Sequence, residues 1–121
     1  MLAPRRKMKV RVYKDIHDME GEERELYIIL DVKTSKMVKL ETGKDILHMT
    51  QMSMDTEFLT DLFYYAAKRG ESNITQEEIE TVGLGQFFEV TTELMHMIAE
   101  FSPEAQEGQD KKKGPLAQKK K

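Results

Sequence analysis

The segment from Ser53 to Phe101 constrains the fold most, because apolar residues recur in it at helical spacing. The stretch DTEFLTDLFYYAAKRG places five residues on one helical face, namely Phe58, Leu59, Leu62, Phe63 and Ala66. The stretch QFFEVTTELMHMIAEF carries a similar stripe, formed by Phe87, Thr91, Leu94, Ile98 and Phe101. The pattern therefore predicts two long amphipathic helices.

Polar residues and a glycine indicate the ends of the first long helix. Ser53 or Asp55 has a side chain suited to cap its first turn. Gly70 follows a pair of cationic residues, at a place where a chain leaving a helix favours a positive φ. We therefore expect this helix to end at Gly70 in a left-handed conformation.

A short helix is predicted between the two long ones. Thr75 and Glu78 have the spacing of a capping box, in which each side chain binds the backbone amide of the other residue. Ile74 and Ile79 flank the box as a hydrophobic staple would. We expect this short helix to end at Gly83.

Both long helices carry wider apolar arcs than one small core requires. On the second helix the arc is about 200° at ~100° per residue, whereas packing on one core needs a stripe of about 100° or somewhat more. Either other parts of the domain enclose both helices, or one edge of each arc contacts another protein. In the second case we expect the partner-binding edge to contain Tyr65, Phe88, Met95 and Met97.

The residues before the helices predict an antiparallel β-hairpin. Residues 1–8 are basic and are expected to be disordered. The run Lys9–Tyr13 alternates polar and apolar residues, and Leu26–Leu30 is rich in β-formers, so each predicts a strand. The charged loop between them fixes the register poorly.

Residues 31–42 fit two alternatives. Thr34 or Ser35 would cap a short helix, or residues 37–40 would form a third strand. The helical alternative turns three residues inward, namely Met37, Val38 and Leu40. Residues 44–52 predict a helical turn with a further three inward, namely Ile46, Leu47 and Met49.

These segments predict one domain over residues 9–101. The expected class is α+β and mainly α, with an N-terminal hairpin followed by a bundle of two long and two or three short helices. Residues 102–121 are polar and lysine-rich, and they carry too little apolar area to order themselves. A disordered tail is therefore expected there.

Charge divides the chain into basic ends and an acidic body. The first 14 and the last 11 residues hold 12 of the 19 basic residues and no acidic one, so the body holds 7 basic and 22 acidic residues. An acidic body repels phosphates, and we do not expect it to bind nucleic acid. The basic ends keep open one alternative, a small regulator that binds DNA through its termini.

The residues do not form a recognisable catalytic, cofactor-binding or metal-binding motif. Cysteine is absent, which excludes disulfides and thiolate chemistry and is compatible with a reducing cytosol. Glu93 and His96 lie three residues apart, but two ligands do not make a metal site. No apolar run approaches the roughly 20 residues of a membrane span. We therefore expect a non-enzymatic protein without cofactor, metal or membrane partner.

From Met37 to Phe101 the order of elements resembles the tail assembly chaperones of long-tailed, siphovirus-type bacteriophages. The matching elements are Thr42-Gly43-Lys44 followed by Ile46-Leu47, the Phe58–Tyr64 helix, the Ile74–Ile79 connector and the closing apolar helix. Each of these has a structural explanation by itself, and their order and spacing carry the resemblance. The basic start and acidic loop depart from the family's usual N-terminal part.

The resemblance implies a small, largely helical protein that binds the tape measure protein, keeps it soluble and helps recruit tail tube subunits. It also implies action in the host cell cytoplasm, absence from the mature virion, and assembly of several copies around the client. Many such proteins have a longer form made by programmed frameshifting. The lysine runs at residues 111–113 and 119–121 suit a slippery adenine run. A structural head–tail or tail-completion protein is a further alternative.

Overall fold

The computed structural model describes residues 5–50 and 53–101, without the side chain of Phe101. The fold is α+β and mainly α, with an N-terminal antiparallel hairpin followed by helices, as the sequence predicts. The strands are β1 (Arg5–Val12) and β2 (Glu22–Ile29). The helices are α1 (Val32–Thr42), α2 (Thr56–Arg69), α3 (Gln76–Ile79) and α4 (Leu84–Phe101), with a 3-10 turn at Ile46–His48.

β1 begins earlier than the sequence suggests. Arg5 pairs with Ile29 and the register continues to Val12 opposite Glu22, so the prediction that residues 5–8 are disordered is wrong. Residues 1–4 lie outside the described part of the chain. Val10 and Val12 are buried on the inner face, and the same alternation places Arg6 on that face, against α4. Because Arg6 is charged, it interrupts the alternation of polar and apolar residues that indicates a strand, so the sequence pattern does not show where β1 begins.

Residues 32–42 form a helix, which decides between the two alternatives for this segment. Its cap is Asp31 and not Thr34 or Ser35, because the Asp31 carboxylate accepts the Thr34 amide at 3.0 Å. Arg69 of α2 reaches the same carboxylate at 2.9 Å. Burial raises the pKa of Asp31, but the Thr34 amide and Arg69 more than offset it, so this pKa lies below its ordinary value.

α1 packs through a narrow face. Val38 is fully buried, as expected. Leu40 is 82% exposed, so the prediction that it turns inward is wrong. The 3-10 turn behaves similarly, with Ile46 buried and Leu47 half exposed. Both segments are helical as predicted, but fewer of their apolar residues contact the core than the sequence pattern suggests.

α2 is the central helix of the fold. Asp55 caps it by accepting the Phe58 amide at 2.9 Å, which decides between the two predicted caps. Four of its side chains are completely buried, namely Leu62, Phe63, Ala66 and Ala67. The helix packs against β2, α1, α3 and α4.

The capping box at α3 is present as predicted. The Glu78 amide donates to the Thr75 hydroxyl at 3.1 Å, and the Glu78 carboxylate accepts the Thr75 amide at 3.0 Å. Ile74 and Ile79, the predicted staple, are both buried. The helix itself ends at Ile79, and turns replace the predicted continuation to Gly83.

Gly70 ends α2 for a reason other than the predicted one. Its φ is −83°, and the positive φ falls on Glu71, so the prediction of a left-handed Gly70 is wrong. A Cβ at Gly70 would overlap the carbonyl group of Tyr27 in β2. Glycine therefore allows the end of α2 to approach the sheet closely.

We predict that Gly70→Ala destabilises the protein by about 1–3 kcal/mol, because β2 must move to accommodate the methyl group. Gly85→Ala is the matched control, since a Cβ there meets no atom within 4 Å and alanine favours the helical conformation. The measurement is the urea midpoint of each variant. Equal midpoints for the two variants would contradict close packing of α2 against β2.

Candidate partner-binding surface

Polar contacts with β1 hold one side of α4. The Arg6 Nε group donates to Glu93 at 2.8 Å, and its guanidinium also reaches Glu100 at 3.3 Å. Near the start of α4, the Gln86 side chain accepts the Arg11 amide at 2.8 Å. These contacts connect both ends of the acidic side of α4 to the hairpin.

Apolar packing holds a second side of α4. The ring of Phe87 stacks on Phe63 of α2, with ring centroids 6.3 Å apart and planes 17° apart. The buried stripe of α4 consists of Val90, Thr91, Leu94, Met97 and Ile98. At about 100° per residue it covers only about 120° of the helix. The rest of the apolar arc therefore lies outside the core.

That remaining part forms a second stripe, which we call the α4 flank. It lies beside the buried stripe, on the side away from the acidic residues, and covers about 80°. Its members are Leu84, Phe88, Thr92, Met95 and Ala99. Leu84 is 82% exposed and Phe88 70% exposed, whereas the other three are half-buried. The flank runs about 22 Å along the helix axis.

The residues predicted to form the partner-binding edge fall in different environments. Phe88 lies on the α4 flank, and Met95 lies there partly buried against the core. Met97 is only 2% exposed, so the expectation that it is exposed is wrong. It lies on the buried stripe, about 180° from Phe88.

Tyr65 does not lie with the α4 flank. It follows Phe63 by two residues and therefore points about 160° away from the side of α2 that meets α4. Burial raises its pKa, and the neighbouring carboxylates of Glu41 and Asp61 raise it further. Tyr65 therefore lies near Glu41 of α1, and the four predicted residues do not form one site.

Leu84 is the residue of the flank that sequence reasoning missed. The stretch predicted to form this helix begins at Gln86, whereas α4 begins at Leu84. Its i, i+4 relation to Phe88 was the available signal. Other large apolar side chains that are at least 44% exposed lie outside α4, namely Ile16, Met19, Tyr27, Val32, Leu40 and Leu47.

Three of the basic residues of β1 lie close to acidic residues of β2. Lys9 lies directly opposite Glu25 and Arg11 opposite Glu23 in the register. Lys7 Nζ lies 3.3 Å from the Glu25 carboxylate. This pairing reduces the positive potential of the hairpin.

Residues 5–50 and 53–101 contain no group of three or more His, Cys, Asp or Glu side chains arranged to hold a metal ion. In the same part of the chain no helix has both the length and the apolarity to cross a membrane. Comparisons with protein-family models, with curated proteins and with solved structures find no match to the chain.

We predict that Phe88→Ala changes the free energy of unfolding by less than about 0.5 kcal/mol, because the ring is mostly in water. Met97→Ala on the same helix should cost about 2–5 kcal/mol, because it leaves a cavity in the core. Urea denaturation of the two variants checks this. A large loss in Phe88→Ala would show that the ring packs within the chain.

Proposed function

We propose that this protein is a non-enzymatic tail assembly chaperone that binds the phage tape measure protein through the α4 flank. The observation that carries the proposal is the exposure of Leu84 and Phe88 on α4, a helix that packs against β1 on one side and against α2 on another. An exposed apolar stripe on a rigid helix is suited to bind the apolar stripe of a client helix. The resemblance described above supports this class of client.

The charge around the flank suits a holdase. Glu89 and His96 are exposed on α4 between the flank and the acidic side that faces β1. Most of the other acidic residues between residues 15 and 100 are also exposed. A complex in which the client's apolar stripe is covered and the outer surface is negative resists aggregation.

The remaining parts of the proposal rest on the resemblance. They are recruitment of tail tube subunits, action in the host cytoplasm, absence from the finished virion, and the assembly of several copies on one client. A longer frameshifted form belongs with them. Mass spectrometry of purified virions separates this proposal from a structural head–tail or tail-completion role, because only a structural component remains in the particle.

We predict that co-expression raises the soluble yield of the same phage's tape measure protein several-fold, and that the two proteins co-purify. The double variant Leu84→Glu/Phe88→Glu should abolish both effects, because it places charges on the apolar contact. The matched control is Ile16→Glu/Met19→Glu, which changes two equally exposed residues in the loop between the strands.

The control variant should behave as the wild type. Circular dichroism of both variants establishes that each is folded. If wild type and Leu84→Glu/Phe88→Glu give the same soluble yield, or if the wild type neither raises the yield nor co-purifies with the client, the proposal is wrong.

A further inference from the structure

The outer side of α1 carries a second set of apolar and charged side chains, separate from the α4 flank. Five exposed residues fall within an arc of about 120° at ~100° per residue, and we call them the α1 face. They are Lys33, Lys36 and Lys39 with Val32 and Leu40. Val32 is 73% exposed and Leu40 82%. The face thus alternates positive charge with exposed apolar surface.

This face is a positive region on an acidic body. Residues 15–110 contain 7 basic side chains, and three of these lie on the α1 face. Elsewhere in the body, Arg24 and Arg69 form ion pairs with carboxylates, and Lys68 lies over the ring of Tyr64. The basic residues outside α1 are thus largely occupied within the fold.

The lysines of the α1 face form almost no ion pairs within the described part of the chain. Lys33 and Lys36 form no ion pair with any residue in the described ranges, and Lys39 reaches Asp45 only at 4.0 Å. Glu41, the single acidic residue within α1, lies about 80° beyond the edge of the face. The face therefore presents one sign of charge.

The face is held rigidly in position. The Asp31 cap and its ion pair with Arg69 fix the start of α1, and Gly43 ends the helix with a φ of 77°. Val38 anchors the opposite side in the core. Val32 and Leu40 are therefore fixed about 12 Å apart along the axis. This separation matches two apolar residues seven or eight positions apart on a second helix.

We propose that the α1 face binds an acidic amphipathic helix of another protein. The carboxylates of that helix would pair with the three lysines, while two of its apolar side chains would cover Val32 and Leu40. Nucleic acid phosphates would pair with the lysines but would leave both apolar side chains in water. An anionic membrane is much wider than the face, so it would also meet the acidic residues around it and be repelled, whereas a single helix covers the face alone. The proposal does not depend on the function of the α4 flank.

The test uses a labelled synthetic helix of about 18 residues, five turns, with a leucine stripe flanked by glutamates. Fluorescence anisotropy should show binding that weakens as salt is added. Lys33→Glu/Lys36→Glu should weaken binding at least tenfold, and Leu40→Ser about fivefold. The controls are Lys9→Glu/Lys14→Glu and Ile16→Ser, exposed residues outside α1 that should leave binding unchanged.

Four outcomes would overturn the proposal. The first two are that the folded wild-type protein does not bind the peptide, or that it binds equally well a peptide with lysines in place of the glutamates. The other two are that the control variants lose as much binding as the α1 variants, or that duplex DNA or phosphatidylglycerol vesicles bind more tightly than the peptide in an α1-dependent way. Sedimentation provides a fifth test. Self-association that disappears in Lys33→Glu/Lys36→Glu would identify a second copy of this chain as the occupant, contrary to the proposal.

Discussion

Close packing around α2 is the constraint on which the rest of the structure depends. The small side chains Ala66 and Ala67 are completely buried, and Gly70 lets the helix end approach the carbonyl group of Tyr27. α2 thereby contacts β2 and the other three helices. Because α2 occupies the centre, α1 and α4 lie at the outside, where α1 packs through one narrow face and α4 is held on two sides by β1 and α2. Their outer sides remain open to other molecules.

The two outer helices leave different kinds of surface. On α4 the contacts of Arg6 and the stack of Phe87 on Phe63 fix the helix on two sides, so the flank around Phe88 is a rigid apolar stripe. On α1 the exposed side mixes lysines with apolar residues. Rigid surfaces bind with a smaller entropic cost than flexible ones, because fewer side chains and segments must be ordered. The fold thus separates an apolar surface from a cationic one.

Local signals in the sequence predicted much of this fold, whereas long-range contacts decided what could not be predicted. The capping box of Thr75 and Glu78 depends only on residues that are neighbours in the chain, so it could be predicted from the sequence. The start of β1 was missed because Arg6 points inward only when α4 supplies Glu93. The helical arcs indicated surplus apolar surface but not which edge is covered. Which edge is covered depends on where β1 and α2 pack. Both Phe88 and Met97 were expected to be exposed, and the expectation is correct for Phe88 but wrong for Met97.

The central claim is that the α4 flank is exposed in the free protein and covered by a client helix. The chain has no tryptophan, so Phe88→Trp introduces a single indole on the flank. In the isolated protein we expect long-wavelength emission and ready quenching by acrylamide, and in the complex with the tape measure protein a blue shift and protection. Protected, blue-shifted emission from the isolated protein, or unchanged quenching in the complex, would contradict the account.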